Sequence, residues 1–460
     1  MKARNMYLIA IFLFCCFCAG NVFGEDIDLS EIYSISPGLI PVSYSKVKEK
    51  KSNNFSSHAK CGTSDFKELY LNFNKLSKAA RSKTIRKFFR RPTEFSEESD
   101  DFQFDKSETV LDYEIINGNF RVHYTKTKSS RNNLVPLTDN NSNNVPDYVE
   151  KCASIFESVW VHEIDELGYK KPESDAGLGG NNKYDIYLLN LDIRKWFGYT
   201  QPEGNINDSK KTTYPSFIVI DNDFPFNVYG FSDPLDALRI TAAHEFFHAI
   251  QNSYDWLEEI WWCEASSVWM EEETYPDING YLVFLKDFFN YPWIALDRNR
   301  SIVNPGPNHH YAAGIFPIFL TDYFKDVNVI KYIWEECAMK DTNKIQATEA
   351  IKRALRARYA ADMRDVFPFF TIYNYFTGIN HNKFLHQGKY YYDGAYYPEI
   401  AAIYDYYAYP INNSFPPYLK KPYNWGANYI IFNSENLDSN LEIVFQSDGT
   451  NSSENVWRVN

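Results

Sequence analysis

TAAHEFFHAIQ, residues 241–251, sets how the whole chain is read. It places His244 and His248 four residues apart, with Glu245 beside the first. Just upstream, SDPLDALRI (232–240) offers Ser232 or Asp233 as a helix cap, Pro234 in the first turn, and Leu235 and Leu238 ahead of Ala242 as apolar positions. The spacing predicts one helix over residues 232–251. Side chains four apart on a helix share a face, so both imidazoles can offer a nitrogen to a single cation. Glu245 stands next to that face and can reach a water held by the same cation. HExxH arises by chance in about one chain of this composition in a hundred. The weight therefore falls on a third ligand, because a catalytic zinc takes three protein ligands and keeps one position open.

Two known layouts place that ligand differently. In metzincins it is a histidine six residues after the second; here that position is Tyr254, and Gln251 stands where a glycine is needed. In gluzincins it is a glutamate on a following helix. The segment 260–273 has helical spacing, and within WWCEASSVWMEE (261–272) Glu264 is the candidate. Its flanks Trp261, Trp262, Cys263 and Val268 speak against a freely solvated charge, whereas Glu258 and Glu259 fall in the turn between the helices. Glu271, two helical turns on, faces the same way and is the reserve ligand. The E-A-x-x-x-W-x-E run resembles the stretch around the zinc glutamate of gluzincin aminopeptidases. That resemblance implies zinc held by His244, His248 and Glu264, with Glu245 as the base that activates the attacking water. It also implies a Tyr or His across the cleft to hold a developing oxyanion. HHYAAGIFPIFL (309–320) supplies Tyr311, then His310 and His309, with a plain core tyrosine as the alternative.

The bulk properties set limits. The chain has 460 residues, 44% hydrophobic and 17% aromatic, with a formal charge of −13, so two or three domains are expected and a basic nucleic-acid face is not. At the N-terminus, Lys2 and Arg4 precede an apolar run from Met6 to about Ala19, closed by Gly24 before Glu25 and Asp26. This is the layout of a secretory signal peptide, residues 1–24, and implies a secreted, cell-surface or periplasmic protein with no transmembrane span in the mature chain. Cys61, Cys152, Cys263 and Cys337 then remain, enough for two disulfides in an oxidising compartment, with buried free thiols as the alternative.

Residues 25–108 are polar and uneven, as in a propeptide or an ordinary N-terminal extension. The basic block 78–92 and the acidic block 94–105 are expected to be exposed chain. In this region AKCGTSD (59–65) faintly resembles the cysteine switch of matrix metallopeptidases, in which a propeptide thiolate occupies zinc; a disulfide or a buried thiol is the simpler reading. DNNSNNVPDYVE (139–150) has the spacing of an EF-hand-type calcium loop. Asp139, Asn141, Asn143, Asp147 and Glu150 supply oxygens, the Val145 carbonyl can join them, and Asn144 stands where glycine is usual. An Asn-rich turn capping the helix that follows is the alternative. DAGLGGNNKYD (175–185) reads only as a turn. Strands are expected at 120–125, 183–191 and 214–223, and helices at 146–167, around 311–325 and over 344–373. Residues 404–426 read as a Pro- and Tyr-rich linker, and ANYIIFNS (427–434), LEIVFQS (441–447) and NVWRV (455–459) as strands of a sandwich-like piece.

The order of CGT, HYT, the 139–150 loop, YDIYL, AHEFFHAIQ, WWCEASSVWMEE and YAAGIFPIFL resembles a loosely characterised group of secreted bacterial metalloprotease-like proteins over roughly residues 60–460. The expected architecture is α+β. A zincin-like catalytic domain (109–408), with a small mixed sheet, the HExxH helix and a largely helical lower half, is followed by a short β-rich C-terminal module (409–460). The expected partner is a peptide or protein substrate, with Zn2+ as catalytic cofactor and Ca2+ as a structural one. The rival reading is a surface binding or adhesion protein on the same scaffold.

Overall fold

Strands that read as unbroken apolar runs have both faces covered, and IYLL (186–189) and FIVI (217–220) are such runs. The computed structural model describes residues 60–77, 91–92, 111–128, 132–192, 194–203, 211–298, 306, 308–338, 346–383, 391–401, 403–406 and 425–432. The signal segment 1–24, the acidic block 94–105 and the strands expected at 441–447 and 455–459 lie outside them.

Five strands, β1 (Tyr113–Asn117), β2 (Phe120–Tyr124), β3 (Tyr184–Leu189), β4 (Gly198–Pro202) and β5 (Ser216–Asp221), form one mixed sheet in the order β1-β2-β3-β5-β4. β2, β3 and β5 run parallel, with Val122 opposite Ile186 and Ile186 opposite Ile218, while β1 and β4 are antiparallel edge strands. Alternation along the strands sends Phe120, Val122, Ile186, Leu188, Ile218 and Ile220 into the main core. Tyr187, Leu189, Tyr199, Phe217 and Val219 face the other way. There they meet Phe66 and Leu69 of helix α1 (Thr63–Leu71), with Trp196 alongside.

The main core lies between the sheet and helices α2 (Asp147–Trp160) and α3 (Pro234–Asp255). The α2 stripe of Tyr148, Cys152, Ile155, Phe156 and Val159 is buried as its spacing requires, and the chain continues from α2 into a wider helical turn over Val161–Glu166. α3 starts at the expected cap: the Asp233 carboxylate accepts the Leu235 N–H at 2.9 Å, and Pro234 fills the first turn. From Ala237 to Asp255 only Arg239 on α3 escapes full burial, because the sheet lies on one side and α4 (Ile260–Thr274) on the other. The helical half adds α5 (Leu282–Phe289), a single turn at His309–Ala312, α6 (Ile315–Phe324), α7 (Val329–Cys337), α8 (Ala347–Tyr359) and α9 (Met363–Tyr375). The helix expected over 344–373 is thus two, divided where Ala360 adopts a left-handed φ of 50°.

Several expectations are corrected. Within the linker expected at 404–426, Ile403–Tyr406 forms β6, which pairs in parallel with β7 (Tyr429–Phe432). Tyr429 donates to the Thr371 carbonyl at 3.1 Å and Trp425 packs on Phe367, which docks this piece on the helices. All four cysteines of the described residues are free and buried, so the two permitted disulfides are not formed. The basic block is not wholly exposed chain either. Arg91 is 2% exposed and reaches Asp175, Asp185 and Glu203. Gly179 makes room for it, since a Cβ there would stand 2.2 Å from the Arg91 guanidinium. No helix among the described residues is long and apolar enough to cross a membrane.

Candidate metal centre

α3 and α4 face each other across their polar positions, and this brings the donors together. His248 Nε2 lies 3.1 Å from His244 Nε2. Glu264 Oε2 lies 3.2 Å from His244 Nε2 and 3.7 Å from His248 Nε2. A fourth donor arrives from the N-terminal segment: Cys61 can place its Sγ so that all four atoms lie within 4.8 Å of one another. Tetrahedral ligation at zinc–nitrogen and zinc–oxygen lengths separates donors by about 3.3 Å, so two imidazoles, a carboxylate and a thiol at these spacings fit zinc.

Each histidine is oriented from behind. His244 Nδ1 meets Glu271 Oε1 at 2.6 Å, and the other Glu271 oxygen is paired with the Lys60 ammonium. His248 Nδ1 lies 2.8 Å from Gln251 Oε1. Gln251 Nε2 donates to the Cys263 carbonyl and to the Ser266 and Ser267 hydroxyls at 3.0–3.2 Å. Those three acceptors fix the amide, so its oxygen must accept from Nδ1–H, and the His248 Nε2 lone pair is left for the cluster. Glu271 is therefore an orienting group, while Glu264 sits among the donors. Burial disfavours every charge here, yet the Glu264 and Glu271 carboxylates push His244 up to about 9 against that burial. Glu264 is equally buried, and His248 and His244 still hold it well below the ordinary glutamate range.

Glu245 stands outside the donor set. Its carboxylate accepts hydrogen bonds from Thr200 on β4 at 2.9 Å and from Thr63 on α1 at 3.1 Å. Tyr311 reaches the same place: its hydroxyl accepts the Cys61 N–H at 3.1 Å and lies 3.3 Å from the Cys61 carbonyl, with its ring 6.4 Å from that of His244. The His310 ring lies tilted against Tyr311 with centroids 4.1 Å apart and is not among the four donors. His309 lies in the core, with Nε2 2.9 Å from the Ala295 carbonyl and its ring on Phe288, and burial pulls its pKa down to about 4. A cavity beside the donors is lined by Thr63, Lys67, His248, Asn252, Cys263 and Glu264.

Comparison with protein-family models and with curated proteins gives no match. The site is thus characterised by its own geometry. Cys61, Thr63, Lys60, Thr200 and Gln251 were not among its expected residues. Cys61 alone carried a signal, the faint cysteine-switch likeness of AKCGTSD, which ranked behind a disulfide or a buried thiol and did not say which side chains the thiol would meet.

The loop expected to hold calcium lies apart, ahead of α2. Asn144 takes the left-handed conformation, φ 70°, as the glycine position of such a loop requires. Glu150 accepts from Asn141 at 2.9 Å and from Asn143 at 2.6 Å, and Asp139 accepts the Asn144 N–H at 2.9 Å. The Asp147 carboxylate accepts the Asn140 N–H at 3.0 Å, and Val145 donates its N–H to Asn143 at 2.8 Å.

Proposed function

We propose that the chain is an exported zinc-dependent metallopeptidase of the gluzincin kind, with a zincin-like catalytic domain. The observation that carries this reading is the convergence of His244, His248 and Glu264 from α3 and α4, with Glu245 beside them and β4 at the sheet edge. His244, His248 and Glu264 would hold the zinc, which would supply a Lewis acid able to lower the pKa of water to about 7. Glu245 is the proton acceptor, held in place by Thr200. Tyr311 is the hydroxyl that would hold a developing oxyanion. β4 ends the sheet, so its outer edge is where an extended peptide would add, and the cavity beside His248 would take one of its side chains. We further propose that residues 139–150 hold a structural calcium ion.

The test is a peptide-library digest by zinc-loaded protein after N-terminal trimming, wild type against Glu245→Gln. Cleavage by the wild type alone, reduced at least about 100-fold in the variant, supports the reading; equal inertness defeats it. Glu264→Ala should lose zinc, and full occupancy in that variant would remove Glu264 from the ligand set. A binding or adhesion protein on this scaffold is the second reading. The four-donor cluster favours it, since four protein ligands are usual for structural zinc.

A further inference from the structure

One tripeptide meets all the groups assigned to chemistry. Cys61 Sγ joins the metal donors. The Cys61 backbone holds the Tyr311 hydroxyl. Thr63 Oγ1 donates to Glu245. The same stretch lies along β4: Phe197 N–H donates to the Lys60 carbonyl at 2.8 Å, Gly62 N–H donates to Gly198 O at 3.0 Å, and Cys61 pairs with Gly198 in parallel. β4 is an edge strand, so Lys60–Gly62 takes the side on which an extended substrate would add. The fit is close. A Cβ on Gly62 would stand 2.7 Å from the Trp196 ring, so only glycine lets the backbone pass there. Anchors on both sides hold the tripeptide in place, with Lys60 on Glu271 and with Phe66 and Leu69 of α1 on the sheet.

We propose that Lys60–Thr63 is a built-in inhibitor and that Cys61 is the fourth ligand of the metal, keeping the full chain latent until this segment leaves the cleft. The proposal rests on the zinc-peptidase reading. When the S–metal bond forms, the thiol proton passes to solvent. When the segment leaves, water takes the vacated position and the thiolate recovers a proton, so no oxidant or reductant is needed. A structural ligand would stay for good; an inhibitory one leaves behind an open coordination position and a free Glu245.

Cobalt(II) in place of zinc in the full chain tests this without relying on activity. The wild type should show a thiolate-to-cobalt charge-transfer band, and its d–d bands should not respond to acetohydroxamate. Cys61→Ser should lose the charge-transfer band, keep bound cobalt, and shift its d–d bands when acetohydroxamate is added. A loaded wild type without the charge-transfer band overturns the proposal, and the wild-type spectrum decides this even if the variant does not fold. A loaded Cys61→Ser that ignores hydroxamate also overturns it, marking the site as structural. If neither protein binds cobalt or zinc, the metallopeptidase reading itself fails.

Discussion

Gln251 has one task at this site, to accept from His248 Nδ1 while its amide nitrogen is held by Cys263, Ser266 and Ser267. Gln251→Leu keeps the bulk and removes the nearer acceptor, leaving the Ser267 hydroxyl 3.3 Å from Nδ1. Metal affinity should fall about 10- to 100-fold, measured by competition with a chromophoric chelator, and an unchanged affinity would show that Gln251 does not orient the ring. Glu163 lies in the wider helical turn that follows α2. It is fully buried, and neither carboxylate oxygen has a hydrogen-bond partner among the described residues. Burial holds its pKa well above the ordinary glutamate value. The native state therefore favours the protonated acid. The stability this gives is complete below the unfolded-state pKa of about 4.3 and is lost as pH rises toward the folded-state value. Glu163→Gln removes that dependence. Its melting temperature relative to wild type should be higher at pH 8 than at pH 5, and a difference independent of pH would refute the assignment.

At the scale of elements, α3 and α4 were readable because their signals are local. Asp233 and Pro234 mark a start, HExxH sets a face, and Glu264 and Glu271 repeat at two turns. Spacing put Glu264 first and kept Glu271 in reserve. Which one reaches the donors and which one braces His244 depends on how α4 crosses α3. The 139–150 loop is also local, and its oxygens point at one another's N–H groups. Calcium should raise the melting temperature of the wild type by mass action and should do little for Glu150→Gln. A thermal scan with calcium and with chelator checks this, and equal response in both proteins would leave the loop as a capping turn.

For the whole molecule, Arg91 shows how far the N-terminal region is built into the fold. Its guanidinium reaches Glu203 at 2.5 and 2.7 Å and Asp175 at 2.7 Å, and it also pairs with Asp185. Arg91→Met would strand buried carboxylates and should cost about 3–5 kcal/mol, read from denaturant unfolding. A cost below about 1 kcal/mol would mean that water or neutralised acids replace the pairing.

The α+β class, the HExxH helix with its cap, the buried strands and the candidate ligand Glu264 all follow from spacing within a few turns of chain. Periodicity and capping are properties of neighbours, so they survive in the linear string. Three things needed the fold: Cys61 and Thr63 at the donors and at Glu245, the buried seat of Arg91 inside a basic block, and β6 inside an expected linker. Thr63 and Glu245 are 182 residues apart. Contacts at such separations are set by how the sheet stacks between α1 and α3, and no local periodicity encodes that stacking.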